Sequence, residues 1–273
     1  MTSPVTTLDS SAAWASATRM VSANREVLAA IAGVFFLLPG LIGAVFLPAP
    51  GVQAGMNEAQ IMDAMQSYYA GSLPMLILLS LIPMAGMLTM LAVMLDGGRP
   101  TVGEAIRRGF AALPGYFAAQ LLVALAMLPV VLLLLGLLGA LLPAAIAMAA
   151  TLAVMLYPVM RTMLVAPVMA TGGQRNPVAA IRESLRLTRR NSGRMLTFIG
   201  LAGFLFLVVY GLVMMVVGVV LVLVTGGETQ RLLAEGISGV LLAVAYTYFV
   251  AMLAAIFGQL AGPWSAGAAD PFG

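Results

Sequence analysis

Apolar residues in this chain come in long runs rather than in alternation. Six stretches, about residues 27–47, 73–95, 117–138, 143–163, 197–222 and 236–260, are almost free of charge. Each is close to the roughly 20 residues that a helix needs to cross a bilayer core. The pattern predicts an all-α polytopic membrane protein with six transmembrane helices. Pro39, Pro83, Pro129 and Pro158 lie inside the first four runs. A proline frees a carbonyl and bends a helix, which packed neighbours in lipid absorb. The pairs Ala29/Gly33, Gly40/Ala44, Ala145/Ala149 and Ala251/Ala255 have the four-residue spacing of close helix contacts. In a chain this rich in Ala and Gly, chance produces such pairs as well.

Between the runs the pattern becomes amphipathic. Asp9 or Ser10 is placed to cap a helix running to about Asn24. Its Trp14, Thr18 and Val21 fall on one face, with Arg19 and Arg25 elsewhere, as suits a helix lying in the membrane interface. In the long connection 48–72, Asn57-Glu58-Ala59-Gln60 resembles a capping box, and Ile61, Met65 and Tyr68 then share a face beside Tyr69. This predicts a short helix on the outer leaflet.

Two further connections look alike. They are PTVGEAIRRGFAALPGYF (100–117) and NPVAAIRESLRLTRRNSG (176–193). Ile106, Phe110 and Leu113 align with Ile181, Leu185 and Thr188, all at the i, i+4, i+7 spacing of Trp14, Thr18 and Val21. Three units of interfacial helix, turn and outward helix would follow. They imply a quasi-threefold repeat of helix pairs in parallel topology, unlike the inverted repeats of many transporters. The simpler alternative is three linkers shaped by the same interface.

Composition fixes the solvent. The chain is 62% hydrophobic and 8% charged, against roughly 25% charged in soluble domains. It cannot cover a water-exposed surface, so lipid must surround it. All 13 basic residues are Arg. Arg19 and Arg25 precede the first run; Arg99, Arg107 and Arg108 follow the second; seven more follow from the end of the fourth. Only Arg231 falls in the intervening connections. By the positive-inside rule the arginine-rich side is cytoplasmic, with both termini there. Residues 1–25 lack the charge and apolar pattern of a cleavable signal. The expected division is a tail and interfacial helix at 1–25, a membrane domain at 26–262 and a cytoplasmic tail at 263–273.

The densest basic segment runs from Arg161 through Arg175 to Arg194. On a helix from about residue 177 to 192, Val178, Ile181 and Leu185 form an apolar arc; Leu187 breaks the pattern. Arg182, Arg186, Arg189 and Arg190 cluster opposite. This reads as an in-plane helix with guanidinium groups on anionic headgroups, each contributing on the order of 1 kcal/mol. Membrane lipids, anionic phospholipid in particular, are the expected partners; plain topology anchoring is the simpler alternative. Nucleic acid is disfavoured, because no reading module surrounds the stripe. Arg161 lies deeper, within the fourth run. A charge there needs a partner, with Glu183 and Asp96 as candidates, or must snorkel to the interface.

The sequence RTMLVAPVMATGG followed by NPVAAIRESLRLTRRNSGRML resembles the membrane domain of glycerophosphoryl diester phosphodiesterases. Ala180, Ile181, Ser184 and Leu187 fit that family's helix pattern, and IFGQLAG at 256–262 is similar to its closing helix. The resemblance implies the membrane architecture, as in stand-alone six-helix bacterial relatives. It does not imply phosphodiesterase activity, which in two-part members belongs to a separate barrel of roughly 250 residues carrying His, Glu and Asp; this chain has no His.

Chemistry-bearing residues are sparse. There is no His and no Cys, and Asp96, Glu104 and Glu183 have no nucleophile or base beside them. No catalytic, metal or cofactor site is expected. The apolar runs contain no Asp or Glu, which argues against ion coupling. The leading expectation is a non-enzymatic membrane protein that organises anionic lipid or a partner through its amphipathic helices. The alternative is a transporter or channel for a small or lipidic molecule.

Overall fold

The computed structural model describes residues 7–47, 50–53, 55–96 and 101–262. Arg99 and the tail 263–273 lie outside them, as do residues 1–6. The described chain is helical throughout: α1 (Ser10–Ala23), α2 (Arg25–Ala32), a π-helical turn (Gly33–Leu37), α3 (Leu38–Phe46), α4 (Glu58–Leu95), α5 (Val102–Leu141), α6 (Ala144–Thr162), α7 (Val165–Ala170), α8 (Pro177–Thr188), α9 (Ser192–Val224) and α10 (Gly227–Ala261). Six helical stretches are long and apolar enough to cross a membrane: Arg25–Phe46, Glu58–Leu95, Val102–Leu141, Ala144–Ala170, Ser192–Val224 and Gly227–Ala261.

Local chemistry explains where the helices begin and bend. The capping box at Asn57 forms, with Asn57 Oδ1 accepting from the Gln60 N–H at 2.9 Å and Gln60 Oε1 from the Asn57 N–H at 3.0 Å. The helix it starts does not stop on a membrane surface. It continues for 38 residues as α4, because Gly71 and Pro74 are too little to end it. The expected outer helix and second span are therefore one rod of about 57 Å, at about 1.5 Å per residue, longer than the bilayer core. Thr101 and Glu104 form a second capping box at the head of α5, which then runs 40 residues through Pro114 and Pro129. Pro39 acts differently. It lacks the N–H that would reach Phe35, and the turn before it widens so that the Leu38 N–H bonds to the Gly33 carbonyl.

Most of the core lies at one end, the end that carries all the described arginines except Arg231. Three consecutive stretches, 85–94 of α4, 164–170 across α7 and 250–257 of α10, are wholly buried. Around them pack α1, α2, α8 and the first turns of α5 and α9. Gly109 of α5 permits the tightest crossing: a Cβ there would stand 2.8 Å from the Thr89 backbone nitrogen. At the opposite end α5, α6 and α9 present Leu125, Leu133, Leu152, Leu207 and Leu223 outwards. Lipid chains are as apolar as these leucines, so their exposure in a membrane carries no hydrophobic penalty.

The helix faces differ in detail from the sequence pattern. α1 buries Ala13 and Ala17 against α10, and Trp14 stays half-exposed, stacked 6.0 Å from Tyr248. Of the four small-residue pairs, Ala251/Ala255 is fully buried, whereas Ala145 and Ala149 are exposed. The three compared units also differ. The chain breaks at Asn24 and again at Arg189–Asn191, but α5 crosses Gly115 without a turn.

Candidate functional site

The arginine-bearing end is assembled by hydrogen bonds between distant segments. Asn176 caps α8, its Oδ1 accepting from the N–H groups of Val178 and Ala179 at 3.0 and 3.3 Å. The helix then ends at Thr188, three residues before the buried Asn191. The Leu8 backbone is gripped from both sides: its N–H donates to Asn191 Oδ1 at 2.9 Å, and its carbonyl accepts from Arg194 at 3.3 Å. Asp9 is held likewise by Gln259, which accepts from its N–H and donates to its carbonyl, both at 3.1 Å. Asn191 and Gln259 thus tie the chain's beginning to the α8–α9 turn and to the end of α10. Asp9 caps α1 as expected. Hydrogen bonds from the Ala12 N–H, the Ser11 hydroxyl and the Ser11 N–H hold its carboxyl below the ordinary carboxylate value.

α8 turns a small polar face inwards. Ala180, Ser184 and Thr188 are fully buried, with Ile181 and Leu187 packed against the core. Of the apolar arc Val178–Ile181–Leu185, Val178 is exposed and Ile181 packs against the core, and Leu187, outside that arc, packs inside as well. All four residues Ala180, Ile181, Ser184 and Leu187 face inwards, Ala180 and Ser184 fully buried and Ile181 and Leu187 packed against the core.

Arg161 is the residue that fixes this face. Neither expected carboxylate reaches it: Glu183 pairs with Arg186 at 2.6 Å, and Asp96 pairs with Arg108. The Arg161 guanidinium instead donates to the Leu185 carbonyl at 2.6 Å, Thr188 Oγ1 at 3.1 Å and the Tyr157 hydroxyl at 2.8 Å. Its own carbonyl accepts from Ser184 Oγ at 2.8 Å. The Leu185 carbonyl is among the last four of α8, which have no partner within the helix. A cation there also meets the negative end of the helix dipole. Arg161 is thus a C-terminal cap supplied by a neighbouring helix.

With α8 docked this way, Arg182, Arg186, Arg189 and Arg190 are all exposed. Arg182 and Arg186 lie on the helix; Arg189 and Arg190 lie on the turn after it. Only Arg186 has a carboxylate partner among the described residues. No group of three or more His, Cys, Asp or Glu that could hold a metal occurs among the described residues.

A second feature lies between the helices. A cavity of about 530 Å³ opens between α4, α5, α6–α7 and α10. Its walls are mostly apolar, with Ser80, Tyr116, Gln120, Thr162 and Tyr246 as the polar groups and no charged residue. Nothing in the linear pattern shows that Tyr116 and Gln120 face a space.

Fold and site together define a helical, multi-pass membrane protein with a basic end. Comparison with known proteins finds no matching family model, no matching curated protein and no matching solved structure.

Proposed function

We propose that this chain is a non-enzymatic protein of the bacterial inner membrane whose arginine-bearing, cytoplasmic end holds anionic phospholipid headgroups. The observation that carries the reading is the docking of α8. Its Ala180–Ser184–Thr188 face is fastened to the bundle, while Arg182, Arg186, Arg189 and Arg190 remain exposed beside the ends of the spans. A fixed basic surface at that level meets headgroups without first ordering a loop. Guanidinium groups also suit bidentate phosphate contact. The resemblance to the membrane domain of glycerophosphoryl diester phosphodiesterases agrees with a role carried out at the lipid surface and without the catalytic barrel.

The test is the lipid that accompanies the purified protein. The wild-type chain should be enriched in anionic over zwitterionic phospholipid. The variant with Arg182, Arg186, Arg189 and Arg190 changed to Gln should lose most of that enrichment, by tenfold or more at about 1 kcal/mol per arginine. It should keep its neutral lipid. Equal anionic enrichment in both would sink the proposal.

A further inference from the structure

We infer that the cavity between α4, α5, α6–α7 and α10 is a binding site for an uncharged, hydroxyl-bearing lipid of the acylglycerol type, separate from the arginine surface. Each wall is one face of a helix. Tyr116, Gln120 and Val123 stand at i, i+4, i+7 on α5, and Tyr246, Phe249 and Leu253 at i, i+3, i+7 on α10. A volume of about 530 Å³ falls within the roughly 300–1,000 Å³ of ligand pockets. That space holds a small polar head and the first part of one chain.

The wall chemistry selects the ligand. No charged residue lines the cavity, and an ionised group in an apolar site without a counter-ion is strongly disfavoured. The hydroxyls of Ser80 and Thr162 are already donated to the carbonyls of Ile77 and Pro158 of their own helices. Gln120 Nε2 donates to the Tyr116 hydroxyl oxygen. That bond leaves the phenol proton to donate and the Gln120 carbonyl to accept. An alcohol group, which both donates and accepts, offers the functions that this pair and the Tyr246 hydroxyl beside it leave open. Met84, Met87 and Met163 complete the walls; unbranched and flexible, they adapt to the varied path of an acyl chain. Beside the cavity α5 exposes Leu121, Leu122 and Leu125. In the membrane these face lipid, so this part of α5 stands beside acyl chains.

Native mass spectrometry of the full chain in detergent tests this with two probes of equal chain length, 1-monooleoylglycerol and methyl oleate. The first should be retained at least tenfold more strongly, since the second has no hydroxyl. Gln120→Leu should lower retention of the glyceride to the level of the ester. Ala166→Phe, which fills the cavity, should abolish retention of both; Val123→Phe serves if that variant does not fold, as judged by thermal unfolding and size exclusion. The four-arginine variant should bind the glyceride as the wild type does, so failure of the headgroup proposal would leave this result untouched. Equal retention of the two probes, no retention of either, or glyceride retention undiminished in a folded cavity-filled variant would overturn the inference.

Discussion

Arg161 shows what a lone charge in an apolar run can be for. Sequence reading offered it a carboxylate or a route to the interface. In the structure it has three acceptors, two of them on α8. The Tyr157 hydroxyl is on its own helix, with the guanidinium 5.7 Å from that ring. The charge was legible, but the acceptors were not. One is a backbone carbonyl, which every residue has, and the others are hydroxyls that read as helix-neutral. Hydrogen bonds to a charged group contribute about 1.5–3 kcal/mol each. Arg161→Leu should therefore lower stability by at least about 2 kcal/mol and expose α8 to limited proteolysis after Arg182 or Arg186. Arg161→Lys keeps the charge but not the fork, and should recover only part of the loss. If Arg161→Leu unfolds at the wild-type temperature and resists protease equally, the capping role is wrong.

Among the elements, α1 departs most from its linear pattern. Its capping residue and length were readable from Asp9 and Asn24, but its face was not. The spacing favoured the face of Trp14, Thr18 and Val21; α10 instead accepts Ala13 and Ala17, because small residues allow closer approach. Similar reasoning covers α4 and α5: the cap at Asn57 was readable and the one at Thr101 was not noted, and the expected breaks are absent because prolines within the long helices are absorbed. The docking of α1 should depend on pH through Asp9. Its carboxyl is held below its ordinary value, so the ionised form stabilises the folded end. That contribution is complete above the ordinary carboxylate value and is lost as pH falls through the depressed one. With Trp264 changed to Phe, Trp14 is the sole tryptophan, and its emission should shift to longer wavelength as pH drops below about 4. Asp9→Asn, an equally good cap, should abolish the shift. A shift that persists in Asp9→Asn would assign it to another group.

At the scale of the whole molecule, the six spans were legible because lipid imposes length and apolarity on each segment separately. The uneven core was not legible. The buried 250–257 stretch of α10 and the exposed leucines of α5 and α9 are equally apolar, and a membrane removes the polarity signal that would tell a protein-facing side from a lipid-facing one. The arginine surface was visible as composition, and its fastening by Ser184, Thr188 and Asn191 only as geometry. Both the headgroup proposal and the reading of the outer ends depend on one orientation in the membrane.

That orientation has a clean test, because the chain contains no cysteine and any introduced thiol is a unique reporter. Gly173→Cys lies in the connection before α8, and Thr229→Cys at the start of α10; both positions are exposed. In intact cells with a permeable outer barrier, a membrane-impermeant maleimide should label Thr229→Cys at once, and Gly173→Cys only after the inner membrane is opened. Labelling of Gly173→Cys from outside in intact cells, with Thr229→Cys protected, would place the arginine surface on the wrong side of the membrane and contradict the account.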